Sequence, residues 1–441
     1  VWLRNDLCIS DNPALHAACK RGSVTCVFLL DHRQWQEHDM SPWRIALILR
    51  SIDCVSQQLA KLGIRLLIMH CDGFANAAKL VVDCAQQVQA GCVYFNAEIA
   101  LNEQRRDNEV EAALNKSGIG CERHQDFTHL APGSVTKPDG SGYTVFTPFK
   151  KRWLAHPLAE PSKPLDPPAP QGPAITAQVA PELLGSVRKD LGAALWPAGE
   201  TAAQACLKEF VHHRASAYDQ QRDLPLQPGT SKLSPHLAVG TVSVGQCLYA
   251  AYGANNNVLT MGNAGLDAWI SELIWREFYN HILAAHPRLS MGQAFRRETE
   301  RLEWNHNDEW LARWQAGETG LPLVDAGMRQ LNTTGWMHNR LRMVTSQFLA
   351  KHLFINWREG ERYFMRNLVD GDLAANNGGW QWSSGGGTDA QPYFRIFNVW
   401  TQAKKFDKEC KFIKKWIPEL KDIPNKDILN WESACTNYDI E

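Results

Sequence analysis

The window Asp370-Gly-Asp372-Leu-Ala-Ala-Asn376-Asn-Gly-Gly-Trp380-Gln-Trp382, with Asp389 and Pro392-Tyr-Phe-Arg395 behind it, is too polar for ordinary core and too aromatic for an ordinary loop. Asp372, Asn376 and Trp380 recur at intervals of four, which on a helix sets an acceptor, an amide and an indole on one face. Such a face can meet one flat heteroaromatic ligand. Two other stretches repeat the mixture: Trp336-Met-His-Asn339-Arg340-Leu-Arg342-Met343 and Trp357-Arg-Glu-Gly-Glu-Arg-Tyr-Phe364.

Upstream, Gly229-Thr230-Ser231-Lys232-Leu233-Ser234-Pro235 joins small hydroxyl residues to a proline that can start a helix. Unpaired N–H groups and the dipole at a helix start favour anions, so the segment reads either as an ordinary N-cap or as a diphosphate cradle. Trp269, Glu272, Trp275 and Arg276 share one helical segment, at offsets of three and four from Glu272. On spacing alone they fit an aromatic core stripe with an intrahelical Glu272–Arg276 pair.

These residues need a scaffold, and 441 of them exceed what one hydrophobic core serves, so two domains are expected. Short apolar runs at 24–30, 65–69 and 91–95 alternate with helical patterns and read as buried parallel strands. Ser41-Pro42 opens a helix that closes at Gly63. The alternation predicts a doubly wound, Rossmann-like α/β domain over 1–125. A connector follows over 126–199, Pro-rich between 156 and 173. Helical periodicity, as in 267–283 and 321–331, fills 200–441.

The net charge of −1 excludes a protein that is basic all over. Any nucleic-acid surface must be a local patch, for which Arg222, Lys232, Arg340, Arg342, Arg395, Lys404, Lys405 and Lys408 are candidates. Twelve cysteines lie without a C-x-x-C pair or metal-ligand spacing, which points to reduced thiols in a cytoplasmic protein and to no metal site. No apolar run reaches membrane-spanning length and no signal peptide is visible. The natural start is expected upstream of Val1.

Together the motifs resemble the photolyase/cryptochrome family, and within it the bacterial class I cyclobutane pyrimidine dimer photolyases. The resemblance runs from Trp2-Leu-Arg4-Asn-Asp6 with Asp11-Asn12 to Trp416-Ile-Pro-Glu-Leu420 and is densest in the last third. It implies an α/β antenna domain, a long connector and an all-helical domain that binds FAD and DNA. In that pattern Tyr218 and the run Thr230, Ser231, Lys232, Leu233 and Ser234 form the FAD phosphate region, and Trp269, Glu272 and Arg276 border the flavin. Asp370 pairs with Arg342 beside the isoalloxazine, Asp372 accepts from N3–H, and Asn376 faces N5. A carboxamide there can donate or accept by flipping. Plant cryptochromes have Asp at that place, so Asn376 favours repair over signalling. Trp380, Trp357 and Trp304 match the family's electron-transfer chain.

The resemblance further implies that Trp275 and Trp382 wall a pocket for a flipped-out cyclobutane dimer. Glu272, Asn339 and Met343 read its edges, and Arg222, Arg340 and Arg395 contact the damaged DNA. The paired histidines of (6-4) photolyases are missing here, since His338 is followed by Asn339. A dimer stacks and pairs poorly, which lowers the cost of extruding it. Excited, reduced FAD would split it by electron donation and recover the electron. A neutral Glu272 could donate a hydrogen bond to the developing negative charge, because desolvation raises a carboxyl pKa. His38, Asn102 and Glu103 match an antenna site for methenyltetrahydrofolate, yet Met291 stands where folate-binding relatives have Lys. Deazaflavin or no antenna are the alternatives. The rival functions are a cryptochrome-like blue-light receptor, disfavoured by the short tail, and a plain nucleotide-binding protein, which leaves the indole-rich last third unexplained. A monomer without membrane contact is expected.

Overall fold

The computed structural model describes residues 1–179, 187–389 and 395–438; Pro392, Tyr393 and Phe394 of the motif above lie outside them. The first domain is built on parallel strands β1 (Trp2–Leu3), β2 (Thr25–Asp31), β3 (Arg65–Cys71), β4 (Cys92–Asn96) and β5 (Gly120–His124). The expected strands are all present, displaced by one or two residues. The ladder is in two pieces, β1-β2-β3 and β4-β5, rather than one sheet. Register is fixed by pairs such as Thr25↔Arg65 and Cys92↔Gly120. Where the pieces meet, Trp2 of β1 packs edge-on against Phe95 of β4 at 5.5 Å, and Arg4 is bonded to the Asn96 carbonyl.

Helices α1 (Pro13–Arg21), α2 (His32–Glu37), α3 (Pro42–Lys61), α4 (Phe74–Gln87) and α5 (Leu101–Lys116) accompany these strands. α3 starts as the sequence predicts: the Ser41 hydroxyl accepts from Trp43 N–H, and Pro42 takes the first helical position. Its apolar residues Leu47, Ile48, Leu49 and Ile52 join Leu3, Leu30 and Leu66 in one core. Val239, Trp336 and Val369 from the second domain belong to the same core, so the domains share an apolar seam.

Connector residues 155–179 and 187–199 carry no regular element and run over the first domain. Gln171 ties them down by accepting from Val24 N–H and donating to the Gly22 carbonyl, both at 2.8 Å. The stretch before them is a true helix, α6 (Phe146–Leu154), whose Phe146, Phe149 and Trp153 sink into the core of the second domain.

That domain is helical, as expected: α7 (Glu200–His213), α8 (Tyr218–Gln221), α9 (Ser234–Val239), α10 (Val244–Ala254), α11 (Ala264–Ala285), α12 (Asp308–Ala316), α13 (Pro322–Thr334), α14 (Asn339–Gln347), α15 (Trp357–Asn367), α16 (Leu373–Ser384) and α17 (Val399–Phe406). One core gathers Trp269, Phe278 and Phe149; a second gathers Trp314, Trp357 and Trp380. Among the described residues no helix is long and apolar enough to cross a membrane.

Candidate flavin and lesion site

Three helices, α11, α14 and α16, carry eleven of the predicted residues. α11 starts at an Asn263 cap that accepts from Leu266 N–H. α16 lies hard against it because Gly378 has no side chain: a Cβ there would fall 2.2 Å from the Tyr279 ring. α14 is joined to α16 by the Ser346–Ser383 hydroxyl pair at 2.7 Å. Its cap is His338, whose ring nitrogen accepts from Arg340 N–H at 3.1 Å. Burial lowers the His338 pKa to about 4, so the imidazole stays neutral and can fill that acceptor role.

Asp370 accepts from one guanidinium nitrogen of Arg342 through both its oxygens, at 2.8 and 2.9 Å, the pairing the resemblance implied. Asp372 caps α16 by accepting from Ala375 N–H at 2.8 Å through one oxygen, and its second oxygen is the one left for a ligand. Asn376 follows one turn later and donates to the Glu361 carbonyl at 3.0 Å. One amide hydrogen is thereby used, which leaves the second amide hydrogen and the carbonyl oxygen for other partners. Trp380 is buried against Gly360 of α15, where a Cβ would collide with the indole at 2.0 Å. Trp357 stands one turn earlier on α15 and is equally buried, while Trp304 packs at the edge of the same core, 4.9 Å from Phe354. Two of the three indoles are therefore interior, and Trp304 is the one nearer the periphery.

The 229–234 segment leads into α9, whose start has no side-chain cap. Thr230 and Ser231 are pinned through their carbonyls, which accept from Arg214 at 2.9 Å and from the Cys206 thiol at 3.2 Å. Lys232 takes a left-handed φ of 55° and lies 5.7 Å from the Trp336 ring. Partial burial, then Arg214 and Lys415, lower its pKa. Leu233, Tyr218 and Trp269 are buried in the same core, with Phe210 edge-on to both rings at 5.8 and 4.8 Å.

Several of the residues expected at a lesion pocket are linked by ion pairs. Arg222 pairs with Glu272 of α11, and its neighbour Asp223 pairs with Arg340 of α14 at 2.7 Å. The end of α8 thus spans the gap between Glu272 and the Asn339–Met343 turn. The intrahelical Glu272–Arg276 pair allowed by spacing does not form: Arg276 donates to the Phe127 carbonyl at 2.6 Å. Glu272 has a cation beside it instead, although burial pushes its pKa up against that pull. Arg340 also lies 4.5 Å over Phe406 and within 3.8 Å of the Met343 sulfur. Trp275 is backed by Phe146, stacked at 3.6 Å with a 9° tilt, a support from α6 that sequence spacing did not reveal. Trp382, half-buried, extends α16 beyond Trp380. Arg395 stands further off, its carbonyl accepting from Lys351 at 2.9 Å.

Residues 1–171 match the family model described as DNA photolyase, and 269–439 match the FAD binding domain of DNA photolyase. The deoxyribodipyrimidine photo-lyase of Escherichia coli K12 is 45% identical over 439 residues, covering 97% of this chain and 90% of that protein. This chain belongs to the DNA photolyase family. Among solved structures, a bacterial class III photolyase from Agrobacterium tumefaciens superposes with a TM-score of 0.87 at 32% identity, covering 98% of this chain and 89% of that one. A cryptochrome from Synechocystis gives 0.86 at 27% identity, covering 98% and 91%.

The chain carries the family's FAD-binding domain, and its donor set fits that cofactor. An uncapped helix start with Lys232 suits a diphosphate, Asp372 and Asn376 offer acceptors for ring N–H groups, and the Trp380 indole N–H is buried without a partner. The chain also has a cavity of about 390 Å³ between its domains, lined by His38, Asn102 and Glu103 from the first and by Met291, Glu361 and Asp372 from the second. His38 joins the predicted antenna trio, 3.4 Å from both Asn102 and Glu103. Burial, then the nearby Glu98, raise the Glu103 pKa. Met291 is 60% exposed, so it sits at the cavity rim.

Proposed function

We propose that this chain is a light-driven repair enzyme for cyclobutane pyrimidine dimers in DNA, with the lesion held between Trp275, Trp382 and the Glu272–Asn339–Met343 edge. The observation that carries the reading is the bridge from Arg222 and Asp223 to Glu272 and Arg340, which brings the lesion edge and two phosphate-seeking cations to one mouth. Bound FAD, reduced and excited by light, supplies the electron that opens the dimer and takes it back. The protein supplies geometry. With FAD bound, the Arg342–Asp370 pair would fix charge beside the ring, Asp372 would orient it through its remaining carboxylate oxygen, and the Asn376 carboxamide would face it.

Arg222 links binding to chemistry in this scheme. When it leaves Glu272 for a phosphate, the half-buried carboxyl loses its counter-charge and, with DNA covering the mouth, takes up a proton. It can then donate to the pyrimidine carbonyl as negative charge develops there. Infrared difference spectra of the substrate complex test this, and an ionised Glu272 carboxylate would sink it. The lesion edge and Asn376 favour repair over a blue-light receptor.

Trp380, Trp357 and Trp304 restore the cofactor by passing electrons from the periphery. The inter-domain cavity takes an antenna, with Glu103 pairing to a pterin edge and methenyltetrahydrofolate as first choice. Met291 at the rim makes that binding weak. Light-dependent loss of dimers from an irradiated oligonucleotide tests the reading as a whole.

A further inference from the structure

Arg44 lies on α3 of the first domain and reaches across the seam to three acceptors on three segments. One guanidinium nitrogen donates to the Gly371 carbonyl; the other donates to the Ala238 carbonyl at 2.9 Å and to the Asn5 side-chain oxygen at 3.3 Å. Gly371 sits between Asp370 and Asp372, and Ala238 lies on α9, the helix that begins at the 229–234 segment. One side chain from the antenna domain is thereby fastened to both ends of the flavin site. Asn5 in turn donates to Glu98, which lines the inter-domain cavity with Arg44 and Asp372.

Two physical consequences follow. A glycine between two aspartates has a wide choice of backbone angles, and a charge-assisted bond to its carbonyl removes that choice. The Arg342–Asp370 pair and the Asp372 cap both depend on this turn. The buried guanidinium also lies within the field of Asp372, Glu98, Asp370 and Glu103, which it shares with Arg342 on Asp370 and Arg106 on Glu98. The seam around it is close-packed: a Cβ on Gly335 would meet the neighbouring Trp43 indole at 2.5 Å.

We infer that Arg44 is a positioning residue for the flavin, holding the Asp370-Gly371-Asp372 turn from the antenna domain and setting the positive field beside the ring. The inference rests on the reading of 370–376 as the wall of the isoalloxazine.

The test uses the full chain loaded with FAD, measuring FAD affinity by fluorescence and the flavin midpoint potential by redox titration. Arg44→Gln should weaken FAD by about tenfold, as for one lost charge-assisted hydrogen bond, and move the potential to more negative values. Arg44→Lys keeps the charge but cannot make all three bonds, so the potential should return towards the parent's while affinity stays low. Arg50→Gln is the control, since Arg50 bonds the carbonyls of Lys189, Leu191 and Trp196 away from the turn; it should change neither property. Parent-like affinity and potential in Arg44→Gln, or a potential in Arg44→Lys no nearer the parent's than in Arg44→Gln, would overturn the inference. If Arg44→Gln does not fold, Arg44→Lys decides: weakened FAD at parent-like potential supports the role, and parent-like affinity refutes it. Asp372→Asn separates the two readings. If it leaves FAD affinity and potential unchanged, the assignment of 370–376 itself fails.

Discussion

Asn376 donates its side-chain amide to the carbonyl oxygen of Glu361 at 3.0 Å, and the adjacent Asn377 donates to the Glu361 carboxylate at 2.9 Å. One residue of α15 thus holds the start of the helix that carries Trp380.

A pH dependence follows from that contact. Burial pushes Glu361 from 4.5 up to about 7, with the Asn377 amide, Arg358 and Arg362 pulling the other way. A carboxyl raised in the folded state contributes fully below its unfolded pKa and loses that contribution as pH rises through the folded one. Thermal stability should therefore fall between about pH 5 and 8, by on the order of 3 kcal/mol from this group. Glu361→Gln stays neutral and keeps an acceptor for Asn377, so its melting profile should be flatter over that range. Parallel profiles for parent and variant would assign the titration elsewhere.

Trp304→Phe should block photoreduction of oxidised FAD and leave repair by chemically reduced enzyme nearly intact, since Trp304 lies at the edge of the second core and makes none of the contacts of Glu272, Asn339 or Met343 given above. Transient absorption and single-turnover repair read the two effects separately. Lost repair under reducing conditions would instead give the residue a structural or substrate role.

Arg340 makes its ion pair with Asp223 before any DNA is present. Arg340→Gln should weaken dimer binding and reduce the slope of log K against log salt by about one. Asp223→Asn releases the same guanidinium and should strengthen binding with an undiminished slope. Titration of a labelled oligonucleotide at several salt concentrations checks both. If Asp223→Asn weakens binding, the carboxylate orients Arg340 rather than competing for it.

Met291→Lys should raise folate affinity by roughly ten- to a hundredfold, the effect of one charge-assisted contact of about 1.5–3 kcal/mol. Reconstitution followed by near-ultraviolet absorption measures it. A tightly bound deazaflavin with no folate band would move the cavity to another chromophore.

Local rules were the legible part of this chain. Ser41-Pro42 and the Asp372–Asn376–Trp380 spacing were readable because caps and helical periodicity depend on neighbours in sequence, whereas the Arg342–Asp370 pair, 28 residues apart, was expected only from the family resemblance. Partner choice across the fold was not. Glu272 has Arg276 one turn away, yet its partner is Arg222, fifty residues upstream, because α8 is brought to the mouth by tertiary packing. Phe146 under Trp275 and Arg44 under Gly371 were invisible for the same reason: each comes from an element whose own pattern indicates only burial or a charged face. The break between β1 and β4 was equally hidden, since alternating apolar runs predict strands but not which edges pair.

The most direct test of the central claim is recovery of intact thymines in an ultraviolet-irradiated oligonucleotide incubated with the FAD-reduced protein. Repair of cyclobutane dimers under blue light and none in the dark is the predicted result; equal product in dark and illuminated samples would contradict it.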